Sequence, residues 1–225
     1  MISLPPAHTV VHIHATSTVI HTTNTHPIIS AISKQKVSPY ISTSTSAILS
    51  VPLVHFYSQF TDVVSSHWQK QSCGIASLAM IIDYYNPGTV IVNTLLTEAI
   101  AAGAYDLDAG WTYTGLINAS KKYGMGGTSY DLGDSDAQTA YATMKTYLQK
   151  GPLIASVHYK FDPKSTIPHL VVLNGIVGDT LIYNDPAAKD GQKSITVADF
   201  LKGWKRRFIV VRPTDIVAMK VNRKT

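Results

Sequence analysis

Cysteine is nearly missing from this sequence, because its 225 residues include only one, Cys73. A single thiol excludes an intramolecular disulfide, so stability has to come from packing, and cysteine usage does not identify the redox compartment. Apolar runs of the roughly 18 residues that a membrane-spanning helix needs are also missing. The N-terminus has neither the basic start nor the continuous apolar stretch of a signal peptide. The sequence therefore shows no recognisable targeting signal, and the localisation of the protein stays unknown.

Acidic residues are fewer than basic ones, 14 against 19, and the formal net charge is +5 with a pI near 9.2. The basic residues are scattered, and their densest run is Lys205, Arg206 and Arg207. No nucleic-acid recognition motif and no stripe of mixed basic and aromatic residues accompanies that run. We therefore interpret it as a solvated face and expect no nucleic-acid partner.

Formal charge is absent from the first 33 residues, and Ser, Thr, His, Val and Ile dominate up to about residue 50. This bias predicts a low-complexity Ser/Thr/His-rich extension over 1–45 and a globular domain over 46–225. His12 and His14 could share one face of a strand and bind a metal. Because no acidic or thiol ligand accompanies them at a fixed spacing, a polar tail is the preferred interpretation.

The periodicity of apolar residues predicts an α+β domain. "VPLVHFYSQF" reads as a short strand that leads into a loop, and Ser72 is the expected N-cap of the first helix. Apolar residues three or four positions apart predict helices over 73–85, 93–104, 112–124 and 135–151. Short β-rich segments follow at 152–159, 169–177, 180–185 and 206–213, with a short helix over 196–204. Helices first and antiparallel strands after them are typical of the α+β class.

Cys73 stands where a polar loop turns into an apolar helix. In the first helical turn, unpaired backbone N–H groups and the helix dipole stabilise an anion. Cysteines in such places, above all beside a protonated histidine, can have a pKa lowered from about 8.5 to roughly 3.5–7.5. Gly74 lets another chain, such as a substrate, approach the backbone closely. Taken alone, the stretch is equally compatible with a small buried cysteine.

A nucleophile needs a base, and the base needs an orienting partner. His169 opens the most β-rich run of the chain, which turns at Gly178 and returns to Asp185. In a simple hairpin about this turn, the two side chains lie at the same open end, offset by about three residues. The alternatives are a surface histidine and an acidic residue in an ordinary Asn-Asp-Pro turn.

Acyl transfer also needs an oxyanion hole. The backbone N–H of Cys73 can supply one donor, and a glutamine amide from the preceding loop can supply the other. Gln71 lies too near the helix start to curl round the thiol, whereas Gln59 arrives from a separate segment; Gln69 lies between them. Each glutamine is also compatible with a solvated surface position.

Together these segments resemble the bacteriocin-processing, double-glycine-type cysteine peptidases and their stand-alone relatives. The resemblance lies, in this order, in "YSQF", "CGIASLAMIIDYY", "KGPLIASVHY", "HLVVLNG", "YNDP" and "ITVADFLKGWKRRFIVVRP". It implies that Cys73 is the nucleophile, His169 the general base and acid, and Asp185 the group that orients the imidazole. It also implies that Gln59 is the oxyanion donor. In compact members the glutamine stands closer to the cysteine, where this chain has His67.

The resemblance further implies a papain-like fold, in which an N-terminal helical half carrying Cys73 packs on a C-terminal antiparallel sheet carrying His169 and Asp185. It implies a cysteine peptidase that acts on a peptide or protein and needs no metal or organic cofactor, and we expect a monomer. It is compatible with an extracellular location. Exporter-linked relatives continue into membrane and ATP-binding segments, so the chain looks like a free-standing relative, and cleavage after a double glycine is not carried over.

Two other functions stay open at the level of sequence. A thiol acyltransferase or deamidase on the same fold would use the same triad. A non-catalytic binding module would keep the fold without a reactive thiol. His158, Trp68 and Trp111 are further candidates for lining a cleft between the two halves, although an exposed histidine and core tryptophans are the simpler interpretations.

Overall fold

A computed structural model describes residues 51–214 of the chain. The predicted extension over 1–45, with His12 and His14, lies outside the described residues, so its boundary stays a prediction. Six α-helices occur in the described part. They are α1 (Ser66–Gln69), α2 (Cys73–Tyr85), α3 (Val92–Ala101), α4 (Tyr113–Ser120), α5 (Ala137–Leu148) and α6 (Val197–Gly203). The longest of these six is too short to cross a bilayer.

Eight strands form two sheets within the same residues. They are β1 (Tyr105–Asp106), β2 (Gly110–Trp111), β3 (Met125–Asp131), β4 (Leu153–His158), β5 (Pro168–Val177), β6 (Thr180–Asn184), β7 (Lys193–Thr196) and β8 (Trp204–Pro213). β1 and β2 form a small hairpin, and the other six form one antiparallel sheet in the order β3-β8-β4-β5-β6-β7. Helices with an antiparallel sheet confirm the predicted α+β class.

The six-stranded sheet is buried on both faces. Successive residues of a strand point to opposite sides. Ile154 and Val172 therefore join a core that contains the apolar residues of α2, α3 and α4. Their neighbours Ala155 and Val171 join a second core with residues of α5 and α6. The predicted packing of the cysteine helix on the sheet is confirmed, and a second helical layer covers the other face.

The strand predicted for "VPLVHFYSQF" is wrong, because residues 51–58 form no regular element. The segment is held by other bonds: the Asn184 side chain donates to the Val54 carbonyl at 3.1 Å, and the Gln59 N–H donates to the Pro186 carbonyl at 2.9 Å. Both contacts are at the end of β6, whose two edges are already paired with β5 and β7. No free edge of that strand is left for the segment to pair with.

Several strands carry no clear sequence signal. β3 contains two glycines and polar residues, and most of its side chains are exposed because it is an edge strand of the sheet. β1, β2 and β7 are two to four residues long, too short for a periodic pattern. The predicted helices are all present, with ends that differ by a few residues. The third ends at Ser120 and is followed by a 3₁₀ turn that stops at Gly124, whose φ of 72° favours glycine.

Candidate active site

Cys73 is the first residue of α2, as predicted, and its side chain is half-buried. Ser72 is the N-cap residue, as predicted, but its hydroxyl does not bond to the helix and donates instead to the Trp68 carbonyl at 2.8 Å. The Ser72 carbonyl still accepts the first helical bond, from the Ala76 N–H at 3.0 Å. The thiol therefore stands beside the first N–H groups of a 13-residue helix, where an anion is favoured.

The backbone after the thiol is covered by Trp111. A Cβ added to Gly74 would lie 2.8 Å from Cγ of that ring, so only glycine fits there. The indole Nε1–H donates to the Gln71 carbonyl at 2.6 Å, which ties β2 to the loop before the helix. The close approach that Gly74 allows is therefore made by the protein's own tryptophan, and not by a substrate. Trp68 packs edge-on against Tyr105 and partly against Trp111, on the same side.

His169 and Asp185 meet at the open end of the β5–β6 hairpin. The imidazole Nε2 lies 2.6 Å from Oδ1 of Asp185. The strands pair through Val172 and Asn184, after a register shift between Leu173 and Gly175. If this pairing continues by one residue, Asp185 lies opposite Val171, two residues from His169. Without the register shift, Asp185 would lie opposite Val172, three residues from His169. The bulge therefore brings the carboxylate within reach of the ring.

The carboxylate of Asp185 is held in place from both sides. Oδ1 also accepts the backbone N–H of Ala187 at 2.8 Å, and the Asp185 carbonyl accepts the N–H of Ala188 at 2.9 Å. Burial raises the pKa of Asp185, but the bond to His169 and that to Ala187 overcome this, so the net pKa is lowered. The group is therefore an ionised acceptor that fixes the orientation of the imidazole.

The electrostatics of His169 favour its protonated form. The side chain is buried, 4% exposed, and burial lowers the pKa of His169. The hydrogen bonds of the ring with Asp185 and with the Cys73 thiol act in the opposite direction and raise the pKa of His169 to about 9. Because Nε2 is bonded to Asp185, Nδ1 is the ring nitrogen left to exchange a proton with the sulfur. The Tyr159 ring stands edge-on at 5.4 Å and screens the imidazole from one side.

Cys73 and His169 line one cleft of about 510 Å³. Its wall includes residues of α2, the β1–β2 hairpin, α4, β3, β4, β5 and β8. Of the three further candidates, Trp111 lines the cleft, whereas His158 bonds to the Ser165 carbonyl at 2.7 Å, and neither it nor Trp68 is part of the wall. The cleft runs between the helical half and the sheet, as the resemblance implies.

Gln59 is buried, 3% exposed, and does not line this cleft. Its Nε2 donates one hydrogen to the Gln69 carbonyl at 2.8 Å, while Oε1 has no partner among the described residues. The Gln69 amide is itself bonded to the Val63 carbonyl at 3.0 Å, so that glutamine shapes the loop. Gln71 is exposed and lines the cleft. The structure thus brings Cys73, His169 and Asp185 together, whereas Gln59 is buried in the loop before α1 and does not line the cleft.

The basic run was interpreted as a solvated face; Arg207 is exposed, whereas Lys205 and Arg206 are half-buried. Lys205 and Arg207 line the same cleft as the thiol, although they are more than 130 residues away in the chain. Tyr113 also lines it and is hydrogen-bonded to Ser156. No local pattern marks these residues as part of a site, because their position depends on how β8 pairs with β4.

Comparison with known proteins agrees with this geometry. The model of the Peptidase_C39 like family matches residues 51–208, which is most of the chain and includes every residue of the cleft. The chain belongs to this family. Membership supports a cysteine peptidase function in general terms, and the residues that carry it are a separate question.

One curated relative of this C39-like chain is a pediocin transport/processing protein. The chain is 28% identical over 146 residues to the Pediocin PA-1 transport/processing ATP-binding protein PedD of Pediococcus acidilactici. That match covers 64% of this chain and 18% of the relative, so the chain spans about a fifth of the length of PedD. What PedD does as a whole protein is therefore not transferred.

Solved structures show the same fold. One is a double glycine motif protease from an AMS/PCAT transporter in complex with its leader peptide, with a TM-score of 0.51 and 22% identity over 74% of this chain and 96% of that one. Another is the peptidase domain of Streptococcus ComA, a bifunctional ABC transporter, with a TM-score of 0.50 and 21% identity over 64% and 93%. At this identity the likeness establishes the papain-like fold of the C39-like chain and leaves its substrate open.

Proposed function

We propose that this chain hydrolyses a peptide bond with Cys73 as the nucleophile, His169 as general base and acid, and Asp185 as the group that orients the imidazole. The observation that carries the proposal is the 2.6 Å bond that links Asp185 to His169, which lines the same cleft as the thiol. The substrate is a peptide or protein segment that enters the cleft.

In the first step, the Cys73 sulfur attacks the carbonyl carbon and a C–S bond forms. The carbonyl electron pair moves to oxygen, and the backbone N–H of Cys73 stabilises the oxyanion. Protonated His169 then gives its Nδ1 proton to the amine nitrogen as the C–N bond breaks. The amine product leaves, and an acyl-enzyme and a neutral imidazole remain. Asp185 keeps Nδ1 directed at the reacting atoms throughout.

In the second step, neutral His169 takes a proton from water while the water oxygen attacks the thioester carbon. The C–S bond breaks, the sulfur leaves as a thiolate, and the imidazolium beside it restores the resting pair. The carboxylic acid product is released. These steps are built from the chain's own residues, and none of them is assigned to a metal or an organic cofactor.

Gln59 is the second oxyanion donor in this proposal. One hydrogen of its Nε2 is bonded to the Gln69 carbonyl, and the other can bind the oxyanion only once the side chain, which is buried and does not line the cleft, is exposed by a shift of its loop on substrate binding. The Gln59 N–H donates to the carbonyl of Pro186, the residue that follows Asp185. This bond connects the segment that carries Gln59 to the segment that carries the orienting carboxylate. The loss of one such donor typically costs about 3–4 kcal/mol of transition-state stabilisation.

The proposal is tested with a mixed library of quenched fluorogenic peptides, with cleavage and intact protein mass as readouts. We expect cleavage by the parent, none by Cys73→Ala, and a mass increase equal to an acyl group when the reaction is quenched early. His169→Ala and Asp185→Asn should reduce cleavage strongly, whereas Asp179→Asn, at the exposed turn of the same hairpin, should not. Cleavage that survives Cys73→Ala would refute the assignment.

A peptidase and an acyltransferase form the same acyl-enzyme and differ in the acceptor that then takes the acyl group. A peptidase passes the acyl group to water, so that product formed in ¹⁸O-labelled water carries the label in its new carboxyl group. A transferase instead yields a product joined to an added amine, such as glycine amide, at equal or higher yield. We expect the labelled acid, and predominance of the amide product would assign the chain to the transferases.

A further inference from the structure

The cleft carries an excess of positive charge. Three cationic side chains line it, Lys70, Lys205 and Arg207, and Asp131 is the one acidic residue in its wall. Asp131 is already bonded to Arg207, with Oδ2 and Nε 2.8 Å apart, so those two charges compensate each other. His169 and Asp185 form the second compensated pair. Lys70 and Lys205 are left as the uncompensated charges of the wall.

Acidic residues close to the cleft do not neutralise it. Asp106 and Asp108 belong to the β1–β2 hairpin, next to the lining residues Tyr105 and Ala109, but they are not part of the wall. The Asp106 carboxylate is turned onto its own loop, where Oδ1 accepts the N–H groups of Asp108 and Ala109 at 2.8 and 2.7 Å. Among the described residues, the hairpin forms no ion pair with either lysine.

Lys205 is positioned by an irregular stretch of β8. The pairing of β4 with β8 shifts from Ser156 opposite Arg207 to Val157 opposite Trp204, so Lys205 and Arg206 form a bulge. Arg206 has a φ of +56°, a left-handed conformation that is strained for arginine. Bulges of this kind re-aim side chains and are common beside active sites. The strain is thus located at the residue next to the cleft lysine.

The bulge is held by its own contacts. The Arg206 guanidinium donates from Nη1 to the Ser135 carbonyl at 2.9 Å, and its backbone carbonyl accepts the Leu132 N–H at 2.9 Å. Lys205 itself is half-buried and forms no ion pair with any described residue. Burial and the nearby charge of Arg207 lower the pKa of Lys205. A half-buried cation of this kind gains most from an anionic partner supplied by a ligand.

We propose that Lys205 binds a carboxylate of the peptide substrate, so that the enzyme prefers acidic peptides. This inference rests on the proposed peptidase function and names the chemistry of its substrate. The carboxylate can come from an Asp or Glu side chain or from a free C-terminus beside the scissile bond. Both offer the same planar anion to the Lys205 ammonium, and the peptides described next distinguish them.

Matched octapeptides test the preference. Glu is compared with Gln, and Asp with Asn, at each position around the bond that the mixed library identifies, and the C-terminal acid is compared with the amide. At low salt we expect kcat/KM to be about tenfold higher for the acidic member at one position, as is usual for a hydrogen bond to a charged group. The preference should weaken when salt is added, because ions screen a half-exposed pair. Equal rates for both members at every position would overturn the inference.

Variants of Lys205 show whether this residue is responsible. Lys205→Met keeps the apolar part of the side chain and should abolish the preference, while Lys205→Glu should reverse it in favour of Lys or Arg at the same position. Lys145→Met, on the exposed face of α5 and outside the cleft, changes the net charge equally and should leave the preference intact. An acidic preference that persists in Lys205→Met would assign it to another residue and refute the proposal.

A second readout does not require peptide cleavage. The rate of Cys73 alkylation by iodoacetate, an anion, is divided by the rate with neutral iodoacetamide. Lys205→Met should lower this ratio about threefold, and Lys145→Met should not, because a single charge in the cleft changes the energy of an anion there by a modest amount. If the ratio depends on Lys205 but no peptide is cleaved, the anion site stands and the peptidase assignment fails. An unchanged ratio in Lys205→Met would overturn the anion site itself.

Discussion

Replacement of Asp185 by Asn should uncouple the thiol from the imidazole. The pKa of His169 rises from an ordinary 6.5 to about 9 in spite of burial, which corresponds to about 3 kcal/mol in favour of the protonated ring. Asp185 and Cys73 share this stabilisation. If Asp185 supplies about half, its neutral analogue lowers the equilibrium between thiol-imidazole and thiolate-imidazolium about tenfold. Asn can still accept a hydrogen bond from Nε2, so the ring is retained while the charge is lost.

The assay is the rate of Cys73 alkylation by iodoacetamide between pH 5 and 10, followed by intact mass. Near pH 8.5 the variant should react about threefold more slowly than the parent, because a roughly tenfold weaker preference for the protonated ring leaves about a quarter of His169 protonated instead of about three quarters. At pH 6 the ring is protonated in both proteins, so the two rates should differ little there. At pH 10 the two rates should also converge, because His169, with a pKa of about 9, is then largely neutral in the parent as well. Asp179→Asn serves as the matched control, because this exposed aspartate lies in the same hairpin without touching the ring.

Two outcomes would contradict the reasoning. A variant that reacts as fast as the parent at pH 8.5 would show that Asp185 does not stabilise the imidazolium. A variant that is slower by the same factor at all pH values would show that the substitution distorts access to the thiol. His169→Ala gives the limit of the expected effect, because it removes the base altogether.

Three further predictions concern stability. The pKa of His169 is raised in the folded state, so its contribution to folding stability is present below about pH 6.5 and is lost towards pH 9. In urea titrations, the difference in unfolding free energy between the parent and His169→Ala should therefore fall by about 3 kcal/mol across that interval. Gly74→Ala should destabilise the fold by about 1–3 kcal/mol through its clash with Trp111, and Trp111→Ala in the same chain should relieve that part of the loss in a double-mutant cycle. Asn184→Ala removes three side-chain hydrogen bonds, with the Val54 carbonyl, the Asn174 amide and the Gln192 N–H. It should lower the free energy of unfolding by about 2–4 kcal/mol in thermal or urea unfolding. Asn118→Ala, exposed on α4, should lower it by less than about 0.5 kcal/mol, the usual limit for surface sites.

The cysteine helix and the histidine hairpin were predictable because each depends on residues close together in the chain. Apolar residues three or four apart predict a helix from Cys73, and a β-rich run that turns at Gly178 predicts the hairpin that carries His169 and Asp185. The mistakes have equally local causes. "VPLVHFYSQF" has the composition of a strand, but Asn184 and Pro186 bind the segment where no free strand edge exists.

The sequence by itself determined the helices α2 to α6 and the strands β4, β5, β6 and β8, within a few residues at their ends, and which residue types are available for nucleophile, base and orienting acid. Only the tertiary structure decided that a register shift at Leu173 brings Asp185 to His169, and that Trp111 covers Gly74. It also decided that a bulge in β8 turns Lys205 from an apparent surface residue into part of the cleft wall. The reason is physical: periodicity reports which face of an element is buried, whereas a bulge or a cleft arises from the pairing of segments that lie far apart in the chain.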